Sequence, residues 1–565
     1  RAAEVDRQGA GVLQDGRFVP AATLKQTLKE ADELGLITLC MGREHGGMEI
    51  PFVVGMLAFT HLARGCFATS AQMAFNTSFA DMLDRFAPRA IADRFIPRIG
   101  SGELSGSMCL TEPDIGSDLG NLRTAAVKQT DGTYLINGSK RFITNAGGGL
   151  ALILARVPGA PAGLGGISLF LAEQFPDGSS QPNFEVSRIE EKCGLHGSAT
   201  CEVRYENTRA ALLGKENDGF KMMLYLMNEA RISVGLQSVA IMEASIDKVR
   251  SYAATRIQFG RPLAELPLYA RNLADLETER DALLAFMVDT ASWFDQMQKL
   301  DLKARRGELT PAEQTQQKRV GKIVRKRTPL VKAYSSERAA DVVKKCVQAF
   351  GGYGYMREYE IERAYRDVMA PLLYEGTTQI QSLMALKDFV KSLTKNPRKF
   401  IAEASWTRTS LTLFGPTSEM ERTVFELRGE FYRAFGGLLL RVLSGGRNDE
   451  SNLTHLARLL VSSRIGKNLK IESINFDPLM IHAETLLMGL AMLEILSVLQ
   501  RQAAKIPSRE ALFSRYLLLV KPRFAALVTE LSQARPPVNL SGVASPETST
   551  LDPSTPASVP LESVL

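Results

Sequence analysis

The chain has no CxxC or HExxH pair, only two tryptophans and five histidines in 565 residues, and no uncharged apolar run long enough to span a bilayer. Each absence narrows the field. The six cysteines (Cys40, Cys66, Cys109, Cys193, Cys201, Cys346) lack the spacing of a zinc ribbon or a dithiol redox motif. Buried free thiols in a reducing compartment are the expectation. The histidines show no ligand spacing, so no metal site is assigned, and His196, in CGLHGS at 193–198, reads as a loop residue. A net charge of +6 is mild for this length. The basic stretch KRVGKIVRKR at 318–327 has helical spacing and no interleaved aromatics, so it reads as a solvated helix face and no nucleic-acid partner is expected. The most lipid-like run, 479–499, carries His482, Glu484 and Glu494. At about 100° per residue these spread over more than half a helix circumference. A buried bundle helix is the better reading, and a helix spanning or lying on a membrane the weaker one. The first residues are polar, with no signal-peptide pattern, and no internal repeat is visible.

What is present is a globular composition, 45% apolar and 23% charged, with length for about three or four domains. Apolar residues at three and four spacing from 21 to about 95 (Leu24, Leu28, Ala31, Leu34) indicate a helical N-terminal domain, residues 1–104. Between 105 and 212 the texture changes to short β-rich runs at 124–127, 134–136, 150–157, 167–171, 184–186 and 201–205, separated by Asp-Gly, Asn-Gly and Pro/Gly turns. A small β-barrel or paired sheet is expected there. Helical periodicity returns after Gly219, with long stretches at 272–295 and 315–350, and predicts an antiparallel bundle over 213–395. A further helical domain is expected over 396–533, followed by a disordered Pro/Ser/Thr-rich tail, 534–565. The fold class is therefore mainly α with a central β domain.

One carboxylate stands out. In LLYEGTTQIQ, residues 372–381, Glu375 sits among apolar and hydroxyl neighbours just before a helix start. Loss of hydration raises a carboxyl's proton affinity and suits it to removing a weakly acidic C–H proton. The competing reading is a carboxylate favoured at a helix N-terminus. Four more motifs precede it in order: MCLTEPDIGSD at 108–118, KRFITN at 140–145, TRIQFGRP at 255–262 and QAFGGYG at 348–354.

Together these five motifs resemble the acyl-CoA dehydrogenase family, over roughly residues 20–395. The resemblance implies an FAD-dependent oxidoreductase that makes a trans-2-enoyl-CoA from an acyl-CoA thioester in fatty acid β-oxidation and lipid metabolism. Glu375 would remove the α-proton, flavin N5 would take the β-hydride, and an electron-transfer flavoprotein would take the electrons. The thioester carbonyl would be held by the Glu375 N–H and a ribityl hydroxyl. Met108, Leu110 and Thr111 match the strand that meets the flavin ring, and Gly116 and Ser117 the loop near the pyrophosphate, Ser117 also on the substrate side. Phe142 and Thr144 match the residues flanking the flavin face, where a Trp is common. Phe keeps the stacking surface but lacks the indole N–H.

Arg256, Gln258 and Phe259 resemble the segment that reaches a neighbouring subunit's cofactor, and Gln348, Gly351 and Gly352 the partner-derived loop beneath the pyrophosphate. Alone, the glycine-rich loop would read as a helix stop. Thr377 and Gln379 match cofactor contacts, with helix capping as the alternative for Thr377 and Thr378. Asn228, Arg231, Tyr374 and Gly376 match the acyl-CoA pocket. Some relatives carry their base just before that Arg, where this chain has Ala230; Glu229 is one residue off, about 100° around the helix. Arg366-Asp367 matches a frequent pair and reads as an intramolecular brace.

The extra helical region resembles the long branch of the family, exemplified by very-long-chain acyl-CoA dehydrogenases and long bacterial relatives, and implies a homodimer. An acyl-CoA oxidase, or a flavin-binding scaffold on the same fold, are the alternatives. The expected compartment is the cytoplasm, with a mitochondrial matrix as the alternative.

Overall fold

The computed structural model describes residues 1–416, 418–443 and 477–534. The tail expected to be disordered lies outside them except for its first residue. The chain divides into two compact units, residues 1–280 with 287–377, and 281–286 with the part from 378 onward.

The first unit opens with a short helix, Ala2–Gln8, followed by a β-hairpin inside the region expected to be helical. β1 (Gly11–Gln14) pairs antiparallel with β2 (Arg17–Pro20), Val12 opposite Val19 and Leu13 opposite Phe18. The two-residue turn is Asp15-Gly16, both at positive φ (51° and 72°). That is the geometry a tight hairpin demands and the dipeptide that most readily adopts it. Helices follow, among them Ala22–Glu33, Phe52–Gly65, Asn76–Phe86 and Arg89–Gly100.

Seven strands then make the barrel: β3 (Ser105–Cys109), β4 (Ala125–Lys128), β5 (Tyr134–Thr144), β6 (Gly149–Arg156), β7 (Ile167–Glu173), β8 (Glu185–Ile189) and β9 (Thr200–Leu213). Pairing runs β6-β4-β5-β9-β7 and returns to β6, so the sheet closes, with β3 parallel to β6 and β8 on β9. One face fills the barrel with Ala126, Tyr134, Ile136, Ile153, Phe170, Val203 and Tyr205. The other face of β6 and β7, through Leu150, Leu152, Leu154, Leu169 and Leu171, packs with Met82, Leu83, Ile96 and Ile99 of the preceding helices. Both strands are covered on two sides, which is why they read as continuous apolar runs rather than alternation.

Gly219 begins the long helix Gly219–Thr255, and a Cβ there would lie 2.2 Å from the Ser168 carbonyl carbon of β7. Glycine therefore lets the helix start directly against the barrel wall. The helix Pro311–Ala349 is fixed at its start by a capping box between Thr310 and Glu313 with Pro311 in the first turn. Most of the basic stretch at 318–327 is solvated as expected. Arg327 is the exception: it is buried and ion-paired with Asp289.

The second unit is helical: Thr378–Lys395, Pro397–Ala404, Arg408–Phe414, Glu419–Leu443, Asp477–Met480, Ala483–Ala503 and Glu510–Gln533. Phe389 meets Phe400, Tyr432 and Phe435 edge-on, Trp406 stacks on Phe425 at 4.3 Å, and Phe431 packs on Phe524. Ala483–Ala503 is long and apolar enough to cross a membrane by composition, yet 78% of that window is buried inside the protein. It is a core helix of this unit.

Candidate active site

The short helix Ala370–Leu373 ends at Tyr374, and the next two residues both adopt positive φ, Glu375 at 58° and Gly376 at 92°. Glycine takes that conformation freely; a glutamate does so only when its surroundings hold it there. Two buried cations from two long helices do so. Arg231 Nε donates to the Glu375 carbonyl at 3.2 Å. Lys332 Nζ donates to the carbonyls of Leu372 (3.2 Å) and Gly376 (2.5 Å), on either side of the carboxylate. Tyr374 is anchored by its hydroxyl, which donates to Gln237 Oε1 at 2.9 Å.

Glu375 remains partly accessible, yet loss of hydration pushes its carboxyl up to about 7, against the opposing pull of Arg231 and Lys332. This is the environment expected of a base poised near neutral pH. Glu229 is also pushed up to about 7 by burial, but its Oε1 accepts from the Ser78 hydroxyl at 2.5 Å in a fully buried setting beside Asp81 and Arg85. Asn228 is half-buried and Arg231 fully buried.

On the barrel, the register between β5 and β9 slips between Lys140 and Ile143, leaving Arg141 and Phe142 opposite one residue. This bulge puts Phe142 at φ 60° with the residue 59% exposed, although it lies inside a strand. Bulges re-aim side chains in this way beside functional sites. The bulge is wired to the 108–118 motif. The Arg141 N–H donates to the Thr111 carbonyl at 2.9 Å. Lys140, wholly buried, donates to the Leu110 carbonyl (2.8 Å) and to Glu112 (3.0 Å). Glu112 in turn accepts from the N–H groups of Arg123 and Thr124 and from the Thr124 hydroxyl. Met108, Thr111 and Thr144 are half-buried, Leu110 is buried, and Gly116 and Ser117 lie exposed on the loop that Glu112 closes.

The remaining predicted residues gather elsewhere. Arg256 caps the C-terminal end of Gly219–Thr255, with its guanidinium over the Tyr353 ring at 5.5 Å. Gln258, Gln348, Gly351 and Gly352 are exposed, and Phe259 is 92% exposed. Gly351 has φ 61°, and neither it nor Gly352 has an atom near where a Cβ would stand. Arg231 and Arg256 share one helix, and 25 residues at 1.5 Å each separate them by about 37 Å. One chain therefore does not bring this cluster to Glu375. Thr377 is half-buried beside the turn, while Gln379 is exposed in the first turn of Thr378–Lys395 in the second unit.

Arg366 is a brace, paired with Asp6 and Glu362, and buried Asp367 accepts from the Leu195 N–H at 2.7 Å. His196 lies in a loop against Asp6. All six cysteines are free; contrary to the expectation of burial, Cys193 is exposed and Cys40 and Cys66 are only half-buried. Lys332, Gln237 and the Lys140–Glu112 pair were not assigned roles from sequence. A lone lysine inside the apolar run Leu330-Val331-Lys332-Ala333 was the available signal for the first.

A flat aromatic cofactor suits the exposed Phe142 face, which the Arg141–Thr111 main-chain contact ties to the 108–118 motif, and a diphosphate suits open glycine backbone and a guanidinium. Comparison with known proteins agrees with this chemistry. Family models described as the acyl-CoA dehydrogenase N-terminal, middle and C-terminal domains match residues 2–103, 107–208 and 217–388. An acyl-CoA dehydrogenase of Bacillus subtilis (strain 168) is 34% identical over 366 residues, 64% of this chain and 89% of that protein. A 3-methylmercaptopropionyl-CoA dehydrogenase of Ruegeria pomeroyi is 32% identical over 461 residues, 77% of this chain and 75% of its own. A crystal structure of an acyl-CoA dehydrogenase complexed with FAD from Bacillus anthracis superposes with a TM-score of 0.71 at 22% identity, covering 90% of this chain and 82% of that one.

Proposed function

The chain belongs to the acyl-CoA dehydrogenase family and is an oxidoreductase, and from that premise we propose that it dehydrogenates an acyl-CoA thioester between Cα and Cβ with Glu375 as base. The observation that carries the reading is the Glu375 turn, a desolvated carboxylate held near neutral proton affinity between two buried cations. An α-proton of a thioester is far less acidic than a carboxylic acid, so the base must act in a dry, fixed geometry with the developing negative charge on the carbonyl stabilised. The Glu375 N–H is the protein donor for that carbonyl, a contribution of about 2.7–4 kcal/mol in comparable cases. Glu375 takes the proton at Cα, and Arg231 and Gln237 keep the turn and Tyr374 in place.

The cofactor is FAD, and when bound its isoalloxazine supplies the two-electron acceptor for the hydride equivalent at Cβ. Met108, Leu110, Thr111, Phe142 and Thr144 would wall the ring and Gly116 and Ser117 the diphosphate side. The separation along the helix of Arg256 from Arg231, which holds the Glu375 carbonyl, supports a homodimer in which Arg256, Gln258, Phe259, Gln348, Gly351 and Gly352 of one copy complete the site of the other. Electrons would pass to an electron-transfer flavoprotein.

Anaerobic mixing of the yellow protein with acyl-CoAs from short to long chain, and with 3-methylmercaptopropionyl-CoA, tests the reading. Bleaching of the flavin is expected, with kcat/KM rising with pH through about 7 as the Glu375 carboxyl ionises. No bleaching by any thioester would defeat the proposal. Rapid reoxidation in air, without an electron-transfer flavoprotein, would make it an oxidase.

A further inference from the structure

Lys332 lies in the middle of the helix Pro311–Ala349, has no exposed surface, and is surrounded along its own helix by Leu330, Val331, Ala333 and Ser335, all buried. A lysine in such a position is expensive, because its ammonium is stripped of water. An aliphatic side chain of the same length would fill the space without that cost. The ammonium is spent on the turn that carries Glu375: it reaches the carbonyl three residues before the carboxylate and the carbonyl one residue after it, while Arg231 holds the carbonyl between.

We propose that Lys332 is a positioning residue for this reaction, a buried ammonium that ties the Leu372 carbonyl to the Gly376 carbonyl and so holds Glu375 in its left-handed conformation. The proposal rests on the assignment of Glu375 as the base. Without the tie, a non-glycine residue at φ 58° has every reason to relax toward an ordinary conformation, swinging its side chain and its N–H together. The same charge acts through space. Around Glu375 stand Arg231 and Lys332, which favour the carboxylate, and Tyr374, which is kept neutral by burial and by the charges of Glu375 and Asp367. Around Lys332 stand Glu375 and Glu337, which favour the ammonium, and Arg231, which opposes it; burial outweighs them and brings Lys332 down to about 8. Between about 7 and about 8, therefore, Glu375 is ionised while Lys332 is still charged.

The experiment uses the flavin-loaded full chain. In Lys332→Met the rate of flavin bleaching by acyl-CoA should fall by about 10²-fold, the size of loss that follows misplacement of a catalytic group by about an ångström. Flavin should stay bound and KM should change far less than kcat. The acid limb of the rate profile should move to higher pH, because a cation that favours the carboxylate has gone. Lys332→Gln, which can still donate to a carbonyl but carries no charge, should show the same pH displacement with a smaller loss of rate. Wild-type rate and an unmoved pH profile in Lys332→Met would overturn the proposal. So would failure of both variants to fold with flavin, which would make Lys332 a purely structural residue. Failure of the base assignment is a separate result: Glu375→Gln would then turn over normally, whatever Lys332 does.

Discussion

Glu375→Gln is expected to lower turnover by about 10⁴-fold, the upper range for removing a positioned general base, while the protein stays folded and yellow. The amide has nearly the same shape, and the contacts that hold the turn go to main-chain oxygens of Leu372, Glu375 and Gly376, which the substitution leaves in place. Stability should change in a pH-dependent way. Folding raises this carboxyl from an ordinary 4.5 to about 7. Below the lower value it is protonated in folded and unfolded chains alike, so the variant gains nothing. As pH rises from the lower to the upper value the unfolded chain ionises while the folded wild type keeps its proton, so the wild type loses stability across that window and holds the full loss above it. The variant should therefore be more stable above neutral pH, by about 1–3 kcal/mol at 1.36 kcal/mol per unit after allowing for partial accessibility. Thermal melts at about pH 5 and about pH 8, beside turnover assays, measure both effects. Normal turnover in the variant would move the base elsewhere.

Lys140→Met should destabilise the fold by about 3–5 kcal/mol, the usual cost of leaving one partner of a buried ion pair alone. Burial by itself would raise the Glu112 carboxyl, yet Lys140, the Thr124 hydroxyl and the Arg123 and Thr124 N–H groups together hold it below its ordinary value. With the ammonium gone, that carboxylate loses its counter-charge and the Leu110 carbonyl loses a donor. The same change loosens the link between the 108–118 loop and the Phe142 bulge, so weaker retention of FAD should accompany the lost stability. Denaturant unfolding and flavin release on dilution report the two separately. Pairing the change with Glu112→Gln, which removes the stranded charge, should recover part of the stability and less of the flavin binding. If the single variant unfolds like the wild type, the pair is not the brace that its burial suggests.

Much of this molecule was legible before any coordinates. Strands β5, β6, β7 and β9 begin within about two residues of the runs expected for them, because Asp131-Gly132 and the Pro/Gly clusters punctuate them strongly, whereas Asn137-Gly138, expected as another such turn, lies inside β5. β5 was read far too short: it runs on through Asn137, Ser139 and Lys140, polar residues whose partners are invisible in one dimension. The hairpin at Asp15-Gly16 carries a plain turn signal, but its strands are only four residues each and the helical periodicity that follows is much longer. Glu375 was recognisable from its apolar and glycine neighbours. Lys332 was not, since nothing local says which helix will pass beneath residue 375, 43 positions further along. Arg327 shows the converse error, a residue in a basic run that folding turns inward to meet Asp289.

The helix Gly219–Thr255 runs unbroken from Arg231 to Arg256 and has the character of a measuring rod. Removing one residue between them would rotate one end by about 100° against the other and shorten the span by about 1.5 Å. The smallest change that nearly restores the relative facing of the ends is two full turns, about seven residues, and it would move them by about 10 Å. A change of length inside this stretch would therefore displace or re-aim one end against the other, whereas one in the loops that flank it would leave the span and the facing of its two ends as they are.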